Sequence, residues 1–170
     1  MSIRDDVIDT TIRMCWYTDL RDWERLAEVL ADKVTLDYSR FGAGAPAEVP
    51  RTDLIASWRS LLGGLRATQH MLTNHLVTVD GEQARCTAHF QATHIADHDL
   101  GENSYTLGGR YEFGLRRGGE RWLIESVVMT PLWSTGNQAV LSAARADAQA
   151  DAEADAQADA QADRDQPAQS

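Results

Sequence analysis

The chain has 170 residues, a mass of 18.8 kDa and a formal net charge of −10. That sign, with no basic stripe carrying interleaved aromatics, argues against a nucleic-acid partner. No apolar run approaches the ~18 residues of a membrane helix, and the N-terminus lacks a signal-peptide pattern, so a cytoplasmic protein with no membrane partner is expected.

The acidity is uneven. From Ala146 the chain repeats ADAQ-ADAE-ADAQ-ADAQ, and residues 147–170 hold seven acids and one arginine, so −6 of the −10 lies there. Alanine favours helix, but aspartates one turn apart oppose it. Residues 141–170 therefore read as a disordered Ala/Asp/Gln-rich acidic tail, and residues 1–140 as one domain able to bury a core. Cys15 and Cys86 form neither a CxxC pair nor a zinc spacing, and are expected to be reduced core thiols.

Residues 4–20 read as a helix, with Ser2 and Asp5 suited to its start. Ile8, Ile12 and Cys15 form one stripe, and Asp19 continues it. A second short helix carries Trp23, Leu26, Val29 and Leu30. In "KVTLDYS" Val34, Leu36 and Tyr38 alternate with polar residues, the mark of a strand. Residues 42–50, "GAGAPAEVP", read as a loop. A third helix, capped by Thr52 or Asp53, carries Leu54, Ile55, Trp58, Leu61 and Leu62 and stops at Gly63-Gly64. Four strands follow, at about 67–79, 83–96, 105–117 and 120–132, with bulges expected at Gly108-Gly109 and Gly114. Helices first and an antiparallel meander after predict an α+β fold. Three helices would pack on a curved, mainly antiparallel sheet and enclose a pocket.

In strand 83–96 the even positions are Ala84, Cys86, Ala88, Phe90, Ala92, His94 and Ala96. That is the inner face, and His94 sits on it among small residues. If Asp80-Gly81-Glu82 is a three-residue hairpin loop, His70 faces Ala92 and His94 faces Thr68, making the histidines diagonal neighbours on one face. A two-residue loop would send His70 to the other side. Asp19, Tyr38, His70 and His94 thus become candidates for one interior. A buried carboxylate needs a partner, and an Asp–His pair fixes the imidazole tautomer and raises its basicity. A phenol nearby can polarise a carbonyl. Such a set removes a proton beside a carbonyl.

Each residue also has a plainer reading. Asp19 could cap the second helix, His94 could be a satisfied core histidine, and Tyr38 a core tyrosine. His75 and His89 fall on the opposite strand faces and His98 in a loop, where no role is expected. Trp16, Trp58, Trp122 and Trp133 are packing residues, one of which could line the pocket. Two histidines and one distant aspartate make a poor metal set, so no metal is expected.

The segments "TDLRDWERL" (18–26), "LDYSRF" (36–41), "TQHML" (68–72) and the histidine of "ATHIAD" (92–97) resemble the SnoaL-like, nuclear-transport-factor-2-like superfamily. Within it the chain looks most like scytalone dehydratase and its bacterial relatives, over roughly residues 5–137. The resemblance implies a cone-shaped α+β barrel. It also implies that Asp19, His70 and His94 match the catalytic aspartate and histidines, and Tyr38 one of two tyrosines. The residue before the aspartate is a second tyrosine in that family and Thr18 here. Gly109 and Tyr111 stand where a serine and an asparagine are used. The expectation is a cofactor-free dehydratase for a small cyclic β-hydroxy carbonyl compound other than scytalone, with Tyr111, Thr18, Phe90, Trp133 and Asn137 at the substrate. An isomerase, an aldol-type cyclase or a non-catalytic binding module are the alternatives. Met71, His75, Val77 and Val79 on the outer strand face, with the family's habit, point to a homodimer or higher homo-oligomer paired through the sheet.

Overall fold

The structure, a computed structural model, describes residues 2–97 and 101–142; His98 and the acidic repeat lie outside the described residues. Helix α1, Ile3–Leu20, starts at Ser2 in a capping box with Asp5, which satisfies two donors the first turn leaves open. Its buried face runs through Val7, Thr11, Met14, Cys15 and Thr18. This is rotated from the expected stripe, because Ile12 is 40% exposed. Asp19 thus lies at the edge of the buried face. The chain leaves α1 through Arg21, left-handed with φ 56°, and Asp22 caps α2 (Trp23–Val29) by accepting from the Arg25 N–H. The cap is Asp22, which leaves the Asp19 carboxylate for another partner.

Leu30, placed by its spacing in the second helix, instead begins strand β1 (Leu30–Asp37), and Tyr38 stands just past the strand's end. Residues 42–50 are not all loop. Strand β2, Ala47–Pro50, pairs antiparallel with β1. At the sheet's edge it tolerates Pro50. Helix α3, Arg51–Leu62, follows at once with Pro50 as N-cap, so Thr52 and Asp53 lie within its first turn rather than ahead of it.

Strands β3 (Ala67–Asp80), β4 (Gln83–Ile95), β5 (Ser104–Gly118) and β6 (Arg121–Gly136) complete one six-stranded sheet of order β2-β1-β6-β5-β4-β3. Among the described residues only the β1–β6 pairing is parallel. The architecture is the α+β cone expected of a SnoaL-like chain, with Phe113, Leu26, Leu115 and Ile124 fully buried in its core. The β5–β6 register shifts at Gly108/Gly109 and again at Gly114/Leu115. At Gly108 a Cβ would stand 2.1 Å from the Trp133 indole, so the ring lies in the space the glycine vacates. Among the described residues no helix is long and apolar enough to cross a membrane. Residues 139–142 are helical, Val140 is fully buried and Leu141 packs against the core, so the folded part extends past residue 140.

The β3–β4 hairpin decides where His70 points. Asp80 pairs with Gln83, so the loop has two residues, Gly81 and Glu82, and not three. Near the turn that puts Val77 opposite Cys86 and Val79 opposite Ala84. Both valines then share the inner parity of β4, although Val79, next to the turn, is still 38% exposed, while Met71 and Leu76 are the exposed apolar residues on the outer parity. Between Thr73 and Leu76 the register slips by one residue, and beyond it Thr68 faces His94 and His70 faces Ala92. The slip is a bulge whose residue Asn74 has φ 57°. It returns His70 to the inner face.

A β-branched residue at Asn74 meets the steric penalty of the left-handed region, which asparagine tolerates best among non-glycine residues. Asn74→Val is expected to lower stability by about 1–2 kcal/mol and Asn74→Gly to be near neutral, read by urea unfolding.

Candidate active site

Asp19, at the C-terminal end of α1, reaches across to β3. Its Oδ1 accepts from His70 Nδ1 at 2.6 Å and its Oδ2 from the His70 backbone N–H at 2.7 Å. The two side chains are 17% and 12% exposed, respectively. A carboxylate can only accept, so the shared proton sits on Nδ1, and in the neutral ring Nε2 carries the lone pair. Both oxygens of one carboxylate hold the same residue. That fixes tautomer and ring orientation together.

His94 lies beside this pair on β4. Its Nδ1 is 2.9 Å from Thr68 Oγ1, and its ring meets His70 edge-on with centroids 5.6 Å apart. Burial first, and the neighbouring His70 second, hold His94 down to about 4, so it is neutral at physiological pH. Tyr38 and Tyr111 are pushed above the ordinary phenol range by burial. Tyr111 is raised further by the surrounding Tyr38, Cys15 and Asp19. Both phenols keep their protons and remain hydrogen-bond donors.

A cavity of about 650 Å³ lies beside the pair, and Asp19 stands behind His70 rather than on the cavity wall. His70, His94, Tyr38, Tyr111, Thr18 and Phe90 all stand on its wall, with Phe90 stacked on Tyr111 at 4.3 Å. Thr18 donates its hydroxyl to the Met14 carbonyl, 2.7 Å away. Trp133 and Asn137 do not line this cavity. Trp133 covers Gly108 and is 49% exposed, while Asn137 Oδ1 accepts from the Ala139 N–H at the start of the helical turn. Gln138 of that segment reaches the cavity instead, as do Asp53, Ser57 and Trp58 of α3. In the sequence Asp53 reads only as a candidate cap, because it is an acid beside a helix start. Trp58 was legible only as one member of an apolar stripe. Cys15 and Cys86 are free and buried, and burial pushes both thiols up. Among the described residues no three His, Cys, Asp or Glu side chains converge to hold a metal ion. His89 is exposed and pairs with Asn74, while His75 is half-buried within the bulge.

The sequence profile of the SnoaL-like domain family matches residues 1–128. No curated protein is significantly similar in sequence. Among solved structures, the Kfla4162 protein of Kribbella flavida is 27% identical, with 84% of this chain and 96% of that one covered at a TM-score of 0.76. A provisionally assigned scytalone dehydratase from Novosphingobium aromaticivorans is 15% identical, with 79% and 87% covered at 0.67. The hexachlorocyclohexane dehydrochlorinase LinA-type3 from Novosphingobium barchaimii is 14% identical, with 79% and 90% covered at 0.64. At these last two identities the likeness concerns the fold.

His94 makes stability depend on pH. In the unfolded chain it takes a proton near its ordinary 6.5, and in the fold only near 4, so the unfolded state binds more protons between these values. Stability is then expected to fall by up to about 3 kcal/mol as pH drops from 6.5 to 4. His75, also held low by burial, contributes with the same sign. In urea unfolding across this window His94→Gln should lose most of the slope; an unchanged slope would assign it elsewhere.

Proposed function

The chain belongs to the SnoaL-like domain family, and from its Asp19–His70 pair on an apolar cavity we propose a cofactor-free lyase. The reaction is dehydration of a small cyclic β-hydroxy carbonyl compound, of the kind found in secondary, polyketide-type metabolism. The observation that carries this reading is the two-point hold of Asp19 on His70, which presents Nε2 as a base. His70 Nε2 takes the proton α to the carbonyl, and the electron pair moves onto the carbonyl oxygen. Tyr38, with Tyr111 on the same wall, donates to that oxygen as charge develops on it. The enolate then collapses, the β-carbon–oxygen bond breaks, and the hydroxide leaves as water with the proton that His70 took. The imidazolium formed midway rests against the Asp19 carboxylate, and the apolar walls strengthen each of these contacts.

The dehydrochlorinase among the structural neighbours supports a β-elimination on this fold, with chloride as its leaving group. Isomerisation and aldol-type cyclisation begin with the same proton removal, and product analysis separates them. The reading includes self-association through the outer sheet face. There Met71, Gln91, Gly108 and Trp133 form one cross-strand row, and Met71, Leu76, Leu132 and Trp133 are exposed. Light scattering should give a dimer or larger for the full chain and a smaller species for Met71→Glu.

The test uses 3-hydroxy-1-tetralone, whose dehydration gives fluorescent 1-naphthol. Asp19→Asn and His70→Ala are each expected to lower kcat by about 10²–10⁴-fold, and Tyr38→Phe by about 10²-fold. Hydrogen–deuterium exchange at the α-carbon without loss of water would favour isomerase or cyclase chemistry. Absence of both reactions from wild type, across a panel of cyclic β-hydroxy ketones, would favour the binding module.

A further inference from the structure

The cavity has two polar ends. The inner end carries His70, His94, Tyr38 and Tyr111. The outer end, where lining residues are exposed, carries Asp53 and Ser57 one turn apart on α3, with Gln138 and Ser142 of the C-terminal segment. Between them α3 contributes Leu54, Trp58 and Leu61, all apolar. A ligand that fills this space has an apolar body and polar groups at both ends.

The charges are one-sided. None of the described residues lining the cavity is Lys or Arg, and Asp53 is the one lining carboxylate. Its Oδ1 accepts from Thr52 Oγ1 at 3.2 Å, and among the described residues no cation pairs with it. An anionic ligand would give up water and meet no positive partner in the cavity, with a like charge at the mouth.

We propose that Asp53 is a specificity-determining residue. It selects ligands with a hydrogen-bond donor, hydroxyl or amine, at the end remote from the reacting carbon, and turns away carboxylates, phosphates and phosphate-bearing carrier conjugates. This rests on the catalytic reading only for which end of the cavity holds the reacting carbon. The substrate class is therefore a free, uncharged or cationic cyclic compound. Ser57 and Gln138 supply neutral donors and acceptors beside the carboxylate.

The experiment is calorimetric titration of the full-length protein with three probes of one shape: 6-(aminomethyl)-2-naphthol, 2,6-dihydroxynaphthalene and 6-hydroxy-2-naphthoate. The ammonium probe is expected to bind about five- to tenfold more tightly than the carboxylate, with the diol between them. Asp53→Asn should bring the ratio near one, and Asp53→Lys should reverse it. Both variants lie at an exposed position. Raising the salt to 0.5 M should shrink the wild-type ratio. A ratio near one in wild type, a ratio indifferent to Asp53, or no binding by any probe overturns the proposal. None of these results bears on the acid/base reading, which stands or falls on the tetralone assay. An ammonium preference above that for the diol marks an amine-bearing ligand, and equal affinity of those two a hydroxyl-bearing one.

Discussion

A carboxylate held at two points by a residue 51 positions away constrains most of this molecule. Taking Asp19 out of water is costly unless both oxygens find donors. They do, in the ring and the backbone N–H of His70, at distances typical of charge-assisted hydrogen bonds. Because one donor is main chain, the contact fixes the end of α1 against β3 itself and not merely against a mobile side chain. His70 must then face inward, the β3–β4 register must bring it there, and α2 must find its cap elsewhere. Asp22 supplies that cap, and the bulge at Asn74 supplies the register.

Around this contact the cavity assigns opposite tasks to similar groups. Two imidazoles lie 5.6 Å apart, yet one is backed by a carboxylate and the other by a threonine hydroxyl in a more buried setting. Only the first has a negative partner ready to stabilise its protonated form. The second stays neutral and adds no repulsion when its neighbour is charged. The phenols, raised by burial, donate without ionising. Environment separates the roles, and residue type alone does not.

The inner face of β4 was legible because its alternation is unbroken: Cys86, Phe90, Ala92 and His94 share one parity over a strand free of bulges on that stretch. The sequence leaves the side of His70 open between two loop lengths, and His70 reaches the inner face through two offsetting features. The turn is the shorter of the two, and Asn74 adds the residue back. Neither feature has a strong signature, since one asparagine among the polar residues of a strand does not by itself mark a bulge. Trp133 fails for the related reason. It shares parity with Val127 and Met129, which pair with inward-facing Phe113 and Tyr111. Opposite the Gly108–Gly109 step, however, β6 carries the extra residue Leu132, and the parity flips before Trp133. Strand β2 was hidden because four residues ending in proline, joined to a glycine-rich stretch, carry no alternation to read. Asp53 and Gln138 were invisible as cavity residues because their positions follow from how α3 and the C-terminal segment close over the sheet.

The arrangement also bears on stereochemistry in the proposed dehydration. The leaving hydroxide needs a proton, and His94, with a proton affinity depressed by burial, is poorly suited to hold one at neutral pH. The phenols hold theirs too firmly to be ready acids. The group that has just acquired a proton is His70. A single imidazole nitrogen, clamped in orientation by Asp19, then has to reach both the α-hydrogen and the β-oxygen. Both must lie on the same face of the substrate ring, within hydrogen-bond distance of one atom. The two-point clamp therefore favours syn elimination. In the proposed reaction the clamp would set both which base acts and which face of the ring it addresses.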